Sequence, residues 1–155
     1  MAGQKNLHSI SHDHFTGMML TQIIRKGNSV NDDFLKNIDE KVNYTIHFYD
    51  QELANHFYLE EQVLFPLVRG LSEEIDGIIN RIVDEHQFVT ELVKELNFKT
   101  DLENKLDRIS RVLEEHIKLE ERVLFPKIHE ALSDNELTAL ARKLFENGYE
   151  NIYKY

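Results

Sequence analysis

The chain has 155 residues, 41% of them apolar and 30% charged, with six glycines, two prolines and no cysteine. That is enough chain for one sizeable core, and the composition is far from disordered or collagen-like extremes. The lack of cysteine removes disulfides, thiolate catalysis and thiolate metal sites, while a net charge of −10 without clustered Lys or Arg argues against nucleic acid and anionic membranes as partners.

No apolar stretch approaches the ~18 residues of a membrane span, so a cytoplasmic location is the default expectation. A first helix is predicted from about Ser11 to Lys26, with Ser9 or Ser11 as N-cap and Gly27 as its stop. The second begins after Asn31-Asp32-Asp33, keeps helical spacing through Phe34, Ile38, Val42, Ile46 and Leu53, and runs to Arg69-Gly70. Within it Pro66 predicts a kink or fraying at Phe65. A third opens at Ser72-Glu73-Glu74 and carries Ile75, Ile79, Ile82, His86, Val89 and Val93 on one stripe to about Asn97. Thr100-Asp101-Leu102-Glu103 has capping-box form and starts a fourth, which extends to about Leu132. Ser133-Asp134-Asn135-Glu136 repeats that form and opens a short fifth helix ending at Asn147-Gly148, before a tail rich in tyrosine. Four long helices with short connections predict an all-α, antiparallel up-and-down four-helix bundle, the fifth helix packed outside. Residues 1–155 read as a single domain with its core at about 9–145.

The segment HFYLEEQVLFPLV, residues 56–68, returns sixty residues later as HIKLEERVLFPKI, residues 116–128, with eight of thirteen positions identical. Each copy sets a histidine and a glutamate four apart, His56 with Glu60 and His116 with Glu120, about 40° from each other on one helix face. Leu59, Val63 and Leu64, and likewise Leu119, Val123 and Leu124, put both pairs on the apolar stripe. His14, beside Ile10 and Met18, and His86, beside Ile82 and Val83, occupy the inward stripes of the first and third helices. At about 1.5 Å per residue, His56 and His86 reach the same height. By the same reckoning the first and second helices, and the third and fourth, are out of step by a turn or more, which their connections must absorb.

A buried polar group without a partner costs roughly 2–7 kcal/mol, against about 5–15 kcal/mol for a whole domain. Six such groups therefore need a common partner, and a bound metal supplies one, with a metal-free polar network as the alternative. Imidazole and carboxylate suit iron, and also manganese and zinc. Six donors exceed the four of tetrahedral zinc, and two carboxylates able to bridge suit a pair of ions. The Glu-x-x-His signature of ferritin-like proteins is absent, the residues three before His14, His56, His86 and His116 being Ser11, Leu53, Val83 and Leu113. Asp13, Glu85 and Glu115, one residue before three of the histidines, are expected to face outward. Phe15, Leu59, Leu64, Phe88, Leu119 and Leu124 are candidates for an apolar lining, or for ordinary core.

The order His14, HFYLE, His86, HIKLE resembles the hemerythrin-like, or HHE cation-binding, domain. SHDHFTGMML at the start, EEQVLFP and EERVLFP after the two pairs, and SDNELTALARKL near the end extend the likeness over roughly residues 9–145. The resemblance implies a non-haem centre of two iron ions inside the bundle, with His14, His56, His86 and His116 as terminal ligands and Glu60 and Glu120 as bridges. Hemerythrins proper carry a further histidine four residues after the third-helix ligand, where this chain has Thr90. His12 and His47 lie too far around their helices to replace it, so one iron is expected to keep an exchangeable position. The first functional expectation is a protein that binds or senses dioxygen, nitric oxide or iron itself. The alternative is a di-iron redox enzyme that reduces nitric oxide or peroxide, or repairs damaged iron centres. Repair relatives often carry a cysteine-bearing N-terminal segment, for which this chain has neither cysteine nor room, so repair ranks below binding. A third expectation is a purely structural metal, with acidic outer faces or the tail meeting a partner protein.

Overall fold

The computed structural model describes residues 8–27 and 37–148, with side chains from His14 onward. Among these residues there are five helices and no strand: α1 (His8–Ile24), α2 (residues 38–68), α3 (Glu73–Glu95, extended by a 3-10 turn at Leu96–Phe98), α4 (residues 102–131) and α5 (Asp134–Glu146). The first four form the expected bundle, with α1 packed on α2 and α4 and α3 packed on α4. No helix among the described residues is long and apolar enough to cross a membrane.

Helix ends follow local chemistry at most of the predicted places. Ser72 accepts the Ile75 N–H (3.1 Å), and Ser133 and Glu136 exchange both bonds of a capping box (3.1 and 3.2 Å). Gly27 stands at φ 77°, a conformation that strains any residue with a Cβ, just past the end of α1. The predicted box at Thr100–Glu103 does not form. Asp101 is left-handed (φ 52°), which turns its carboxylate away from the first N–H groups of α4 and onto the Asn104 amide (2.7 Å). The side chains of Ser9 and Ser11, the start after Asn31-Asp32-Asp33 and Phe34 fall outside what the structure describes. Within the described residues α2 begins at Asn37, whose side chain accepts the Glu40 N–H (2.8 Å).

Three widened turns interrupt the α geometry of α2 and α4. Ala54 N–H reaches back to the carbonyl of Tyr49, Phe65 N–H to that of Glu60, and Phe125 N–H to that of Glu120, each five residues away instead of four. Such π turns concentrate at functional sites. Two of them begin at the repeated glutamates and end at Leu64 and Leu124, two residues before Pro66 and Pro126. The helix does not fray at Phe65, and a widened turn stands before the proline instead. A proline ring clashes with the carbonyl four residues back in a regular α turn, and widening the preceding turn relieves the clash. Phe65 consequently keeps ordinary helical angles (φ −62°, ψ −41°).

Two apolar clusters fill the bundle, one above and one below the histidine level. The first gathers Leu64, Phe65, Ile79, Ile82, Leu124 and Phe125, and the second Leu20, Val89, Leu106, Ile109, Leu113 and Ile117. Helix α5 lies outside the four-helix set as expected, yet its Leu137, Leu140 and Leu144 complete the first cluster and close that end of the bundle. At Gly17 a Cβ would meet Ile117 Cδ1 at 3.1 Å, so the missing side chain lets α1 approach α4 closely one turn from His14.

Candidate metal centre

Six titratable side chains meet between the two clusters. His14, His56, Glu60, His86, His116 and Glu120 are all buried, both glutamates completely. They form two groups of four possible donors that share the carboxylates: His14, His56, Glu60 and Glu120, and Glu60, His86, His116 and Glu120. Within each group the donor atoms lie within 4.8 Å of one another. Glu60 turns Oε1 to His56 Nε2 (2.6 Å) and Oε2 to His86 Nε2 (2.9 Å). Glu120 turns Oε2 to His14 Nε2 (2.6 Å) and Oε1 to His116 Nε2 (3.1 Å). Each carboxylate thus offers one oxygen to each histidine pair, as a bridging ligand must.

The height mismatch anticipated between α3 and α4 is absorbed in their connection, which passes through two left-handed residues, Lys99 and Asp101. The His86 and His116 rings lie 4.7 Å apart, and those of His14 and His56 lie 4.9 Å apart.

These close pairs are not a satisfied hydrogen-bond network. His14 Nδ1 donates to Glu121 (2.8 Å) and His116 Nδ1 donates to Glu85 (3.0 Å), so in the neutral form that binds a metal each ring turns the Nε2 lone pair inward toward Glu120, His14 Nε2 also lying 3.1 Å from His56 Nε2. Both oxygens of Glu60 and of Glu120, with Nε2 of His86 and His116, have no correctly directed hydrogen-bond partner although N and O are near each other. Lone pairs that converge in this way call for positive charge between them.

The electrostatics agree. Burial by itself lowers the pKa of His116, but Glu120, Glu85 and Glu60 outweigh it and hold the ring up to about 10. For His14 burial is likewise overcome, chiefly by Glu120, and its pKa stands well above 6.5. Glu60 is driven well below the usual carboxylate range, burial being overcome by His56, His14 and His86. Glu120 is lowered too, against burial and the repulsion of Glu60, by His116 and His14. The cavity is built to hold cationic charge, and metal ions compete for it with protons.

Beyond the six donors lies a layer that sequence reasoning missed. Glu121 and Glu85 fix the tautomer and orientation of His14 and His116, as carboxylates behind metal-bound histidines do. Glu85 therefore does not face outward as expected; it points from α3 across to α4, and its other oxygen accepts from Arg81 (2.9 Å). Glu115 is exposed as expected, at 67%. Glu61 Oε2 stands 3.7 Å from His86 Nδ1, beyond hydrogen-bond range. The doubled glutamate in both copies of the repeat was the visible signal for Glu61 and Glu121. Each reaches from the repeat to the unrepeated histidine of a neighbouring helix.

The lining also differs from expectation. Leu59, Leu64 and Leu124 are buried and Leu119 is half-buried, but Phe15 is 64% exposed and Phe88 faces a groove between α3 and α4, under the Arg108 guanidinium (5.2 Å). The rings that cover the site are instead Phe57, stacked 3.9 Å from His86, Phe125, stacked 5.6 Å from His14, and Phe65, 6.3 Å from His86. Phe57, which directly follows a donor histidine, is not among the lining candidates drawn from the sequence. Thr90, four residues after His86, accepts or donates a hydrogen bond with the Tyr49 hydroxyl (2.8 Å). His47 is exposed and does not enter the site.

A family model, the hemerythrin HHE cation-binding domain, matches residues 11–128. The chain belongs to this family. All six converging side chains of the hemerythrin-like domain fall inside the matched span. Curated relatives include iron-sulfur cluster repair proteins YtfE from an Enterobacter species and from Citrobacter koseri, each 32% identical over 92 residues, and from Escherichia coli, 30% identical over 92 residues. Those matches cover 50% of this chain and 42% of each relative, so the chain spans less than half the length of the curated relatives it matches. No solved structure matches the chain. The hemerythrin-like domain's cofactor, a di-iron centre, fits the donors present: two four-donor groups of imidazole and carboxylate, joined by two carboxylates.

Proposed function

We propose that His14, His56, His86 and His116 are terminal ligands, and Glu60 and Glu120 bridging ligands, of two iron ions. Through that centre the chain, acting as a single domain in the cytoplasm, binds or senses a small diatomic ligand, dioxygen or nitric oxide, or iron itself. The observation that carries this reading is the division of each buried carboxylate between two histidine pairs, with all four carboxylate oxygens and the Nε2 atoms of His86 and His116 left without a hydrogen-bond partner. A pair of ferrous ions supplies two electrons and, with four protein donors on each, coordination positions for such a ligand. The chain's own work is to hold the carboxylates at a fixed spacing and to lock two imidazoles through Glu121 and Glu85. Phe57, Phe65 and Phe125 keep water from the donors.

The second reading, a redox enzyme or a part in the repair of iron-sulfur clusters, is favoured by the likeness to relatives that carry the latter name. Elemental analysis after anaerobic iron loading, followed by optical spectra on adding dioxygen or nitric oxide, tests both. About two irons per chain and a ligand-induced band that reverses under vacuum support binding or sensing. Irreversible oxidation with turnover of peroxide or nitric oxide supports the enzyme. A chain that holds no metal from iron-replete cells and none after reconstitution refutes the proposal, and preferential uptake of manganese or zinc refutes the choice of iron.

A further inference from the structure

The two halves of the site are related by an internal repeat, and the places where the repeat breaks are informative. Residues of α2 correspond to those sixty later in α4, and residues of α1 to those seventy-two later in α3, which aligns His56 with His116 and His14 with His86. Under that correspondence the glutamates match in pairs, Glu60 with Glu120 and Glu61 with Glu121, and so do Phe65 with Phe125 and Pro66 with Pro126.

Just below the donors the correspondence fails. Met18 occupies in α1 the position that Thr90 has in α3, and Ile109 occupies in α4 the position that Tyr49 has in α2. Ile109 is fully buried, and Met18 packs against the same apolar cluster. In the other half Tyr49 and Thr90 are half-buried and hydrogen-bonded to each other at 2.8 Å, across α2 and α3. Thr90 lies one turn beyond His86 on the same helix face, and Tyr49 lies two turns before His56, so in antiparallel helices both stand on the same side of the donor level. Two hydroxyls carry two hydrogens, and the bond between them uses one. Among the described residues neither hydroxyl has a further hydrogen-bond partner.

We infer that the small ligand binds at the cation held by His86 and His116, where the remaining hydroxyl hydrogen of the Tyr49–Thr90 pair donates to it. At the corresponding positions beside the cation held by His14 and His56 stand Met18 and Ile109, whose side chains have no hydrogen to donate. This inference rests on the proposed metal centre. It assigns the ligand to one of two otherwise equivalent cations, and it makes Tyr49 and Thr90 the groups that select a ligand with an acceptor atom.

Azide, a small anion that accepts hydrogen bonds, is the probe, titrated into the oxidised, iron-loaded full chain while the visible spectrum is read and iron is counted. Tyr49→Phe and Thr90→Val both keep two irons per chain, and whichever of them removes the hydroxyl that donates to the ligand binds azide about ten-fold more weakly, as loss of one hydrogen bond to a charged group predicts. Thr90→Ser keeps the affinity of the parent, as does Met18→Leu on the corresponding position of the other half. Unchanged affinity in both Tyr49→Phe and Thr90→Val, with two irons present, overturns the inference. So does weakening by Met18→Leu to the same degree, or loss of iron from either hydroxyl variant. A phenolate-to-iron band lost in Tyr49→Phe also overturns it, because Tyr49 would then be a ligand. Should the parent chain hold no iron at all, the metal centre itself fails, a result read before any azide is added.

Discussion

Replacing Glu60 with alanine separates a shared site from two independent ones. Among the described residues Glu60 and Glu120 are the two side chains that belong to both donor groups, Glu60 with Oε1 at 2.6 Å from His56 Nε2 and Oε2 at 2.9 Å from His86 Nε2. Its removal cuts both groups from four donors to three and halves the anionic charge that Glu60 and Glu120 supply. Loss of a carboxylate that merely orients a bound histidine weakens metal affinity about 10–100-fold. Loss of a donor from both sites at once is expected to exceed that, costing more than about 2.7 kcal/mol for each ion. After anaerobic iron loading and desalting, elemental analysis should fall from about two irons per chain to fewer than one in Glu60→Ala. His14→Ala, which strips only the His14 and His56 group, should retain about one. Circular dichroism must show both variants still helical. If Glu60→Ala keeps two irons, or keeps one as His14→Ala does, the bridging role of Glu60 is wrong.

Glu85→Gln should weaken metal binding about 10–100-fold with the fold intact, read by competition with a chelator, since the substitution removes the charge that fixes His116. Phe57→Ala leaves a hole beside the His86 ring and should lower stability by about 3–5 kcal/mol, measured by chemical denaturation of the metal-free chain. The metal-free bundle should show a pH optimum. The raised pKa of His116 contributes stability that is fully present below 6.5 and is lost as pH rises toward about 10, with His14 acting in the same direction. The lowered pKa values of Glu60 and Glu120 contribute stability that is present above 4.5 and is lost as pH falls through their folded values. The metal-loaded chain should instead gain stability from pH 6 to 8, because metal displaces those protons. Thermal melts with and without a chelator across this range check the sign, and parallel pH profiles would contradict it.

The six converging residues were legible because a buried histidine or glutamate on an apolar helical stripe has no ordinary role, and the repeat displayed two of the pairs outright. The layer behind them was not. Glu85 and Phe57 sit one residue from a donor; the 100° step sent Glu85 away from the site and nothing in the pattern singled out Phe57, yet each acts on a histidine of a different helix. The capping box read at Thr100–Glu103 failed for a related reason. The composition was right, but the connection that brings α3 and α4 into step holds Asp101 left-handed.

Periodicity along the chain determined the bundle, the donor types and the two-fold character of the centre, because angular position around one helix follows directly from residue spacing. Relative height, contact between helices and the widened turns at Glu60 and Glu120 were decided by the tertiary structure. These depend on how connections and prolines shift one helix against another, and no single helix carries that information. The division of each carboxylate between two histidine pairs, and the placing of Tyr49 beside Thr90 on one side only, came from that packing.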